Sequence, residues 1–281
     1  MSIFEGRTRR TVLGTVAVIG GMMALSAPQE AQARHVDRNR LSVMHLNIAG
    51  GKEHHANIAI ADKLADSVAS RRPGLPLAVS VNEVCFNQWE RLYNRLTALG
   101  YSGHFGLSRW TTDRDRCGAQ PYGNAIFWQG GHADATTFYF SQQAPGAVEL
   151  RNMACGKAHF PERTWYCSAH LINGNEEMAR RQAGDALNIA TVLEVTDRAI
   201  IMGDFNLTPD DDAMKRWFNR SWDDADDCRC RPTNDGLRSN GNRKIDYILV
   251  RRDEFSFGHD AYITSDVDSD HSLMQGCPVF R

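Results

Sequence analysis

At 281 residues, with 42% apolar and 23% charged side chains, the chain has the composition of a soluble globular protein and the length to bury a sizeable core. Its net charge of −2 excludes a global basic field of the kind that collects polyanions, although a local groove or a bound cation can offset a mildly acidic surface.

The N-terminus reads as an export signal. Arg9 and Arg10 precede an apolar, small-residue stretch from Thr11 to Ala27, and Ala31–Ala33 ("AQA") offer small residues for cleavage. Paired arginines point to the twin-arginine route. The expected product is a secreted domain of residues 34–281, with 1–33 as the signal peptide. A single membrane anchor is the competing reading, but the stretch is short of the roughly 20 residues a span needs and holds several glycines.

Apolar runs with strand character follow at 41–48, 75–84, 123–128, 164–172, 198–205 and 244–250, with a last one around 272–280. Helical spacing marks 56–72, 87–100 and 175–194, the second ending in Gly100. The middle, 101–170, reads as consecutive strands. Helices alternate with strands at both ends, which predicts an α/β fold with sheet packed on sheet and no internal repeat. Seven cysteines in an exported chain imply disulfides. Cys155 and Cys167 bracket a short hairpin, Cys85 and Cys117 make a second pair, and Cys277 is left for Cys228 or Cys230. A zinc site lacks the necessary C-x-x-C or paired histidines.

Polar residues recur at the ends of these runs: Asn47, Glu83, Asn124, His170, Asp204 with Asn206, Asp246, and Asp270 with His271. Singly, most have bland explanations as turn formers, first-turn acids or a structural histidine. Asp246 does not, because a buried carboxylate is costly unless paired. Residues two apart in a strand share a face, so Asp204 and Asn206 are expected to face one cleft with Glu83, Asp246 and His271, while Phe205 packs the other way.

In order, "HLNIAG", "SVNEVC", "YGNAIFW", "CSAHL", "MGDFNLTP", "KIDYILV" and "DSDHSL" resemble the endonuclease/exonuclease/phosphatase superfamily, the deoxyribonuclease I-like group, over nearly the whole mature chain. The resemblance implies a four-layer α/β/β/α sandwich of two packed mixed sheets flanked by helices. It implies hydrolysis of phosphate esters with a divalent metal, Mg²⁺ or else Mn²⁺ or Ca²⁺. It assigns Glu83, Asn47 and Asp270 to the metal, and His170, Asp204, Asn206, Asp246 and His271 to catalysis, with Asp246 paired to His271. Asn124 is assigned to substrate. An all-oxygen ligand set suits these hard cations.

Other features take plainer readings: Lys52, His54 and His55 as the start of a solvated helix, 109–117 as a charged loop, 223–228 as an acidic surface turn, and 136–143 as a buried strand. The expected function is an exported, metal-dependent phosphodiesterase acting on DNA with little sequence preference, as a monomer without a stable membrane anchor. The alternatives are a sphingomyelinase-like or inositol-phosphate esterase, and a non-catalytic binding protein on the same fold.

Overall fold

Alternation of buried and lining residues along short strands organises the chain. The computed structural model describes residues 42–71, 74–110, 117–131, 134–147, 149–224, 238–257, 262–265 and 267–281. The export signal, Cys228 and Cys230, and most of the 109–117 loop lie outside the described residues. The elements are β1 (Val43–Asn47), α1 (Ala59–Ser70), β2 (Ala78–Cys85), α2 (Phe86–Thr97), β3 (Ser102–Trp110), β4 (Pro121–Trp128), β5 (Asp134–Tyr139), β6 (Asn152–Ala158) and β7 (Thr164–His170). There follow α3 (Glu176–Leu193), β8 (Arg198–Asp204), α4 (Asp212–Asn219), β9 (Trp222–Asp224), β10 (Asp246–Arg251), β11 (Phe255–Phe257), β12 (Tyr262–Thr264), β13 (Leu273–Gly276) and β14 (Pro278–Phe280).

Two six-stranded mixed sheets carry the fold, in the orders β12-β13-β1-β2-β4-β3 and β5-β6-β7-β8-β10-β9. In β1, Met44 and Leu46 point at α1 and α2, packing with Leu64, Val68 and Leu92. In β8, Ile201 points at α3 and α4, packing with Ala186, Leu187 and Trp217. The opposite faces meet: Val43, Ala78, Ile126 and Trp128 of the first sheet pack on Ala154, Tyr166, Ile200, Met202 and Ile248 of the second. The layers are therefore helices, sheet, sheet, helices, as the resemblance implied. Fully burying side chains of this size contributes about 1.5–3 kcal/mol each, and the shared face holds the sheets together. Asn175 caps α3 by accepting from the Met178 N–H, and Asp211 caps α4 by accepting from Ala213.

Three expectations need correction. The run at 136–143 is not a buried strand: β5 is a half-exposed edge, with Tyr139 49% exposed. The final run divides at Cys277 into β13, in the first sheet, and β14, paired with β11. Helix α4 and strands β9, β11 and β12 went unanticipated because each is short. Both expected disulfides are present: Cys155–Cys167 joins directly paired residues of β6 and β7, and Cys85–Cys117 ties the end of β2 to the segment before β4. Among the described residues no helix is long and apolar enough to cross a membrane.

Gly203 pairs with Ala169, and a Cβ there would lie 2.0 Å from the Ala169 carbonyl oxygen. Gly203→Ala must push β7 from β8, and a loss of about 1–3 kcal/mol is expected in urea unfolding. Glu194, at the C-cap of α3, is a largely buried acid at the negative end of a helix. One of its oxygens accepts from Arg251 at 3.2 Å, and the other, buried, has no partner. Burial, only partly offset by Arg251, pushes its carboxyl up to about 7 from 4.5. The folded state therefore binds this proton more tightly, and its contribution to stability is present below pH 4.5 and lost as pH rises through 7. Glu194→Gln should remove that decline, leaving the variant more stable than the wild-type chain at pH 8 by on the order of 2 kcal/mol but not at pH 4.

Candidate active site

The strand alternation that buries apolar residues between the sheets turns polar at one end. On the inter-sheet face, β1 presents His45 and Asn47, β2 Ser80 and Asn82, and β4 Asn124. From the second sheet come Asn152 of β6, Ser168 and His170 of β7, Asp204 of β8 and Asp246 of β10. Parallel pairing of β1 with β2, and of β7 with β8, brings carboxyl-terminal ends together, while antiparallel β4, β6 and β10 bring their amino-terminal ends to the same place. His271 arrives just before β13, which runs antiparallel to β1.

Glu83 departs from the alternation. The β2–β4 register shifts between Val81 and Val84, and Glu83 has φ +57°, a left-handed conformation uncommon for a side chain of this kind. The bulge lifts Glu83 out of the pleat towards the open end, where its side chain is 22% exposed. Asn47 then bridges two acids: its amide donates to Glu83 Oε1 and Asp204 Oδ2, both at 3.1 Å, and its oxygen accepts from the Ala49 N–H. Thus Asn47, expected as a metal ligand, presents its NH₂ to the site and holds the two carboxylates in place.

Strand β8 ends at Asp204, and Asn206 lies beyond it with φ +52°. Its N–H donates to Asp204 Oδ1 at 2.9 Å, and its side chain donates to the Leu171 carbonyl. Asp204 and Asn206 therefore do not share a strand face, contrary to expectation: Asn206 braces Asp204 through a turn rather than extending its strand. Phe205 packs towards the helices with Trp217 and Tyr247, as expected.

Asp246 is wholly buried, with one oxygen 2.8 Å from His271 Nδ1 and the other 3.0 Å from His45 Nε2. Burial alone would raise its carboxyl, but the hydrogen bonds from His271 and His45 prevail and hold it well below the usual carboxylate range. Burial works against charge on His271 as well, yet Asp246, Asp204 and Asp270 together lift it to about 9. Asp204 goes the other way. Burial first, then repulsion from Asp246, push it up to about 7, against the pull of His271. His271 Nε2 stands 3.7 Å from Asp204 Oδ2.

His170 Nε2 lies 3.8 Å from both Glu83 and Asp204. Arg151 Nη1 rests 2.8 and 2.9 Å from its two ring nitrogens and 3.1 Å from Glu149. Burial and the Arg151 charge hold His170 well below the usual imidazole value, so the ring is neutral. Tyr122, hydrogen-bonded to Glu83 and buried near Glu149, stays a phenol.

Of the residues expected here, the structure brings together Asn47, Glu83, His170, Asp204, Asp246 and His271. Asp270 stands at the rim, 33% exposed, 4.0 Å from Lys52 and from His271. Asn124 is elsewhere: its amide is held between Asn82 and Asn152 at 3.1 and 3.0 Å, 1% exposed, so it supports the sheets behind the site rather than meeting a substrate. Sequence reasoning passed over His45, Ser80, Asn82, Asn152, Ser168 and Arg151. The signal for three of them was alternation itself, since "VMHLN" and "VSVNE" place polar residues two apart in apolar runs.

Asp204, Asp246 and His271 offer potential metal-binding atoms within 4.8 Å of one another. One oxygen of Asp246 is already hydrogen-bonded to His271 Nδ1 and the other to His45 Nε2, so this trio is better suited to holding a proton than an ion. Glu83, partly exposed and joined to Asp204 through the Asn47 amide, offers the hard oxygen that a divalent cation prefers, and Asp270 offers another at the rim.

The human Nocturnin catalytic domain with bound sulfate superposes with a TM-score of 0.66 at 18% identity, over 86% of this chain and 95% of that one. A mannosyl-6-phosphatase of Bacteroides thetaiotaomicron gives 0.62 at 15% identity, over 85% and 100%. A humanized TDP2 of D. rerio gives 0.63 at 15% identity, over 85% and 98%. At these identities the likeness is one of fold. No curated protein matches the chain in sequence. The family model for the Endonuclease/Exonuclease/phosphatase family matches residues 44–271, and with the two-sheet sandwich and its strand-end cluster of acids and histidines, the chain belongs to that family of phosphoester hydrolases.

Proposed function

We propose that this chain is an exported, divalent-metal-dependent phosphodiesterase that cuts DNA with little sequence preference. The observation that carries the reading is the surrounding of Asp204: the Asn47 amide at 3.1 Å, His271 Nε2 at 3.7 Å and His170 Nε2 at 3.8 Å, with Glu83 alongside. A cation held by Glu83 and Asp270 would neutralise phosphate charge and polarise water. The chain's own groups divide the remaining work. Asp204, ionising near neutral pH, accepts the proton of the attacking water. His271, kept protonated by Asp246, offers positive charge to the phosphoryl oxygens. Neutral His170 donates one hydrogen bond to phosphate, and Arg151 behind it adds charge.

A phospholipid headgroup is the second reading, favoured by exposed Tyr139 and Leu150 at the end of the second sheet where the site opens. The test is incubation of residues 34–281 with plasmid DNA, sphingomyelin vesicles, inositol phosphates and a sugar monophosphate, with Mg²⁺ and with EDTA. Nicking of plasmid in Mg²⁺ alone supports the proposal. Lipid cleavage with DNA intact promotes the second reading, release of phosphate from the sugar points to a monoesterase, and cleavage that survives EDTA sinks the metal dependence. Inactivity on all four substrates with any divalent metal favours a non-catalytic binder.

A further inference from the structure

We infer that His45 is a positioning residue of this site: a second imidazole that fixes the Asp246 carboxylate and, through it, aims His271. The role rests on the phosphoesterase reading, but its geometric basis does not. His45 and Asp246 are both wholly buried between the sheets, and each carboxylate oxygen of Asp246 faces one imidazole, His45 Nε2 at 3.0 Å and His271 Nδ1 at 2.8 Å. A carboxylate anchored by one donor can swing about its Cβ–Cγ bond. Anchored on both oxygens, it presents the remaining bond in one direction.

His45 is itself held through its other ring nitrogen. Its Nδ1 is 2.8 Å from Ser80 Oγ, Ser80 Oγ is 2.8 Å from Ser168 Oγ, and Asn82 Nδ2 donates to Ser168 Oγ at 3.0 Å. Asn82 Oδ1 accepts from the Asp204 N–H at 2.9 Å. Hydroxyl protons rotate to suit their partners. The Ser168 hydroxyl also reaches the Val81 carbonyl at 3.3 Å, but one arrangement links the chain without burying a second imidazolium: Ser168 turns its proton to Ser80, Ser80 donates to His45 Nδ1, and His45 Nε2–H donates to Asp246. The chain then runs from the backbone of Asp204 through Asn82, Ser168, Ser80, His45 and Asp246 to His271, which returns to within 3.7 Å of Asp204. Five strands of two sheets and the segment before β13 are tied into one ring around the site. A buried network satisfied throughout rigidifies what it encloses.

The first test needs neither activity nor a variant. A long-range ¹H–¹⁵N spectrum of metal-free protein should show His45 protonated at Nε2, and a slowly exchanging, downfield Nδ1–H on His271. A His45 Nε2 without a proton overturns the inference. The second test compares His45→Leu, which keeps volume and removes the donor, with His45→Gln, whose amide can accept from Ser80 and donate to Asp246. In His45→Leu, kcat should fall about 30-fold with KM within about twofold, and the downfield His271 proton should vanish. His45→Gln should restore that proton and recover kcat to within about fivefold of wild type. An unchanged kcat and an unchanged His271 resonance in His45→Leu would show that the residue merely fills space, and would overturn the role. Should His45→Leu fail to fold, His45→Gln decides: the His271 resonance must persist in it. Should the wild-type protein cleave no phosphoester, the proposed function fails while the spectra still judge the network.

Discussion

Replacing His271 by alanine is expected to lower kcat/KM by about 10³-fold or more, with the folded structure retained. The size follows from what is lost together. The site gives up the positive charge 3.7 Å from Asp204, and Asp246 is left as a buried carboxylate with one of its two imidazoles. Stability should fall too, by about 3 kcal/mol, because removing one partner of a buried pair strands the other. This part has a distinctive pH dependence. The His271 pKa is raised from 6.5 to about 9 on folding, so its contribution is complete below pH 6.5 and lost as pH rises through 9. Denaturation of wild type and variant should therefore differ most near pH 6 and converge by about pH 10. A constant gap across that range would mean that packing, not the charge pair, accounts for the loss. A variant with near-normal turnover would remove His271 from the mechanism.

Glu83→Gln is the second large effect, and it reads the cation rather than the proton. The substitution keeps shape and keeps a partner for the Asn47 amide, but removes the carboxylate that the β2 bulge delivers to the open end. We expect kcat/KM to drop by about 10²–10³-fold. Saturating Mg²⁺, which should raise the melting temperature of the wild-type protein by mass action, should leave that of the variant nearly unmoved. An equal upward shift in both proteins would place the cation elsewhere, whatever happened to turnover. Because Glu83 is at the rim and 22% exposed, its own removal should cost little stability in the absence of metal.

Strand–helix order, the two disulfides and the residues at the strand ends were legible because each depends on local chemistry. Apolar runs of strand length, helical spacing in 56–72, 87–100 and 175–194, and short cysteine separations all leave marks along the chain. Singly, most of the acids and histidines at the strand ends have bland explanations; they could be named as a site because they recur in the motif order of the family that the chain resembles. What the chain order did not convey was direction. Asn124 and Asn47 look alike as strand-end amides, yet one is locked between Asn82 and Asn152 behind the site and the other joins Glu83 to Asp204. Asn206 looked like a strand neighbour of Asp204, but its positive φ turns its side chain to Leu171.

The sequence alone determined which groups are present and that they belong to an α/β sandwich, since composition and periodicity are properties of the chain. Only the tertiary structure decided which of them share charge. His45 and Asp246 are 201 residues apart, and Asn47 and Asp204 are 157 apart. No local pattern encodes those distances; they are set by the packing of one sheet on the other. That packing also sets the pKa values, because burial and the nearest opposite charge, not residue type, push Asp204 up and hold Asp246 down.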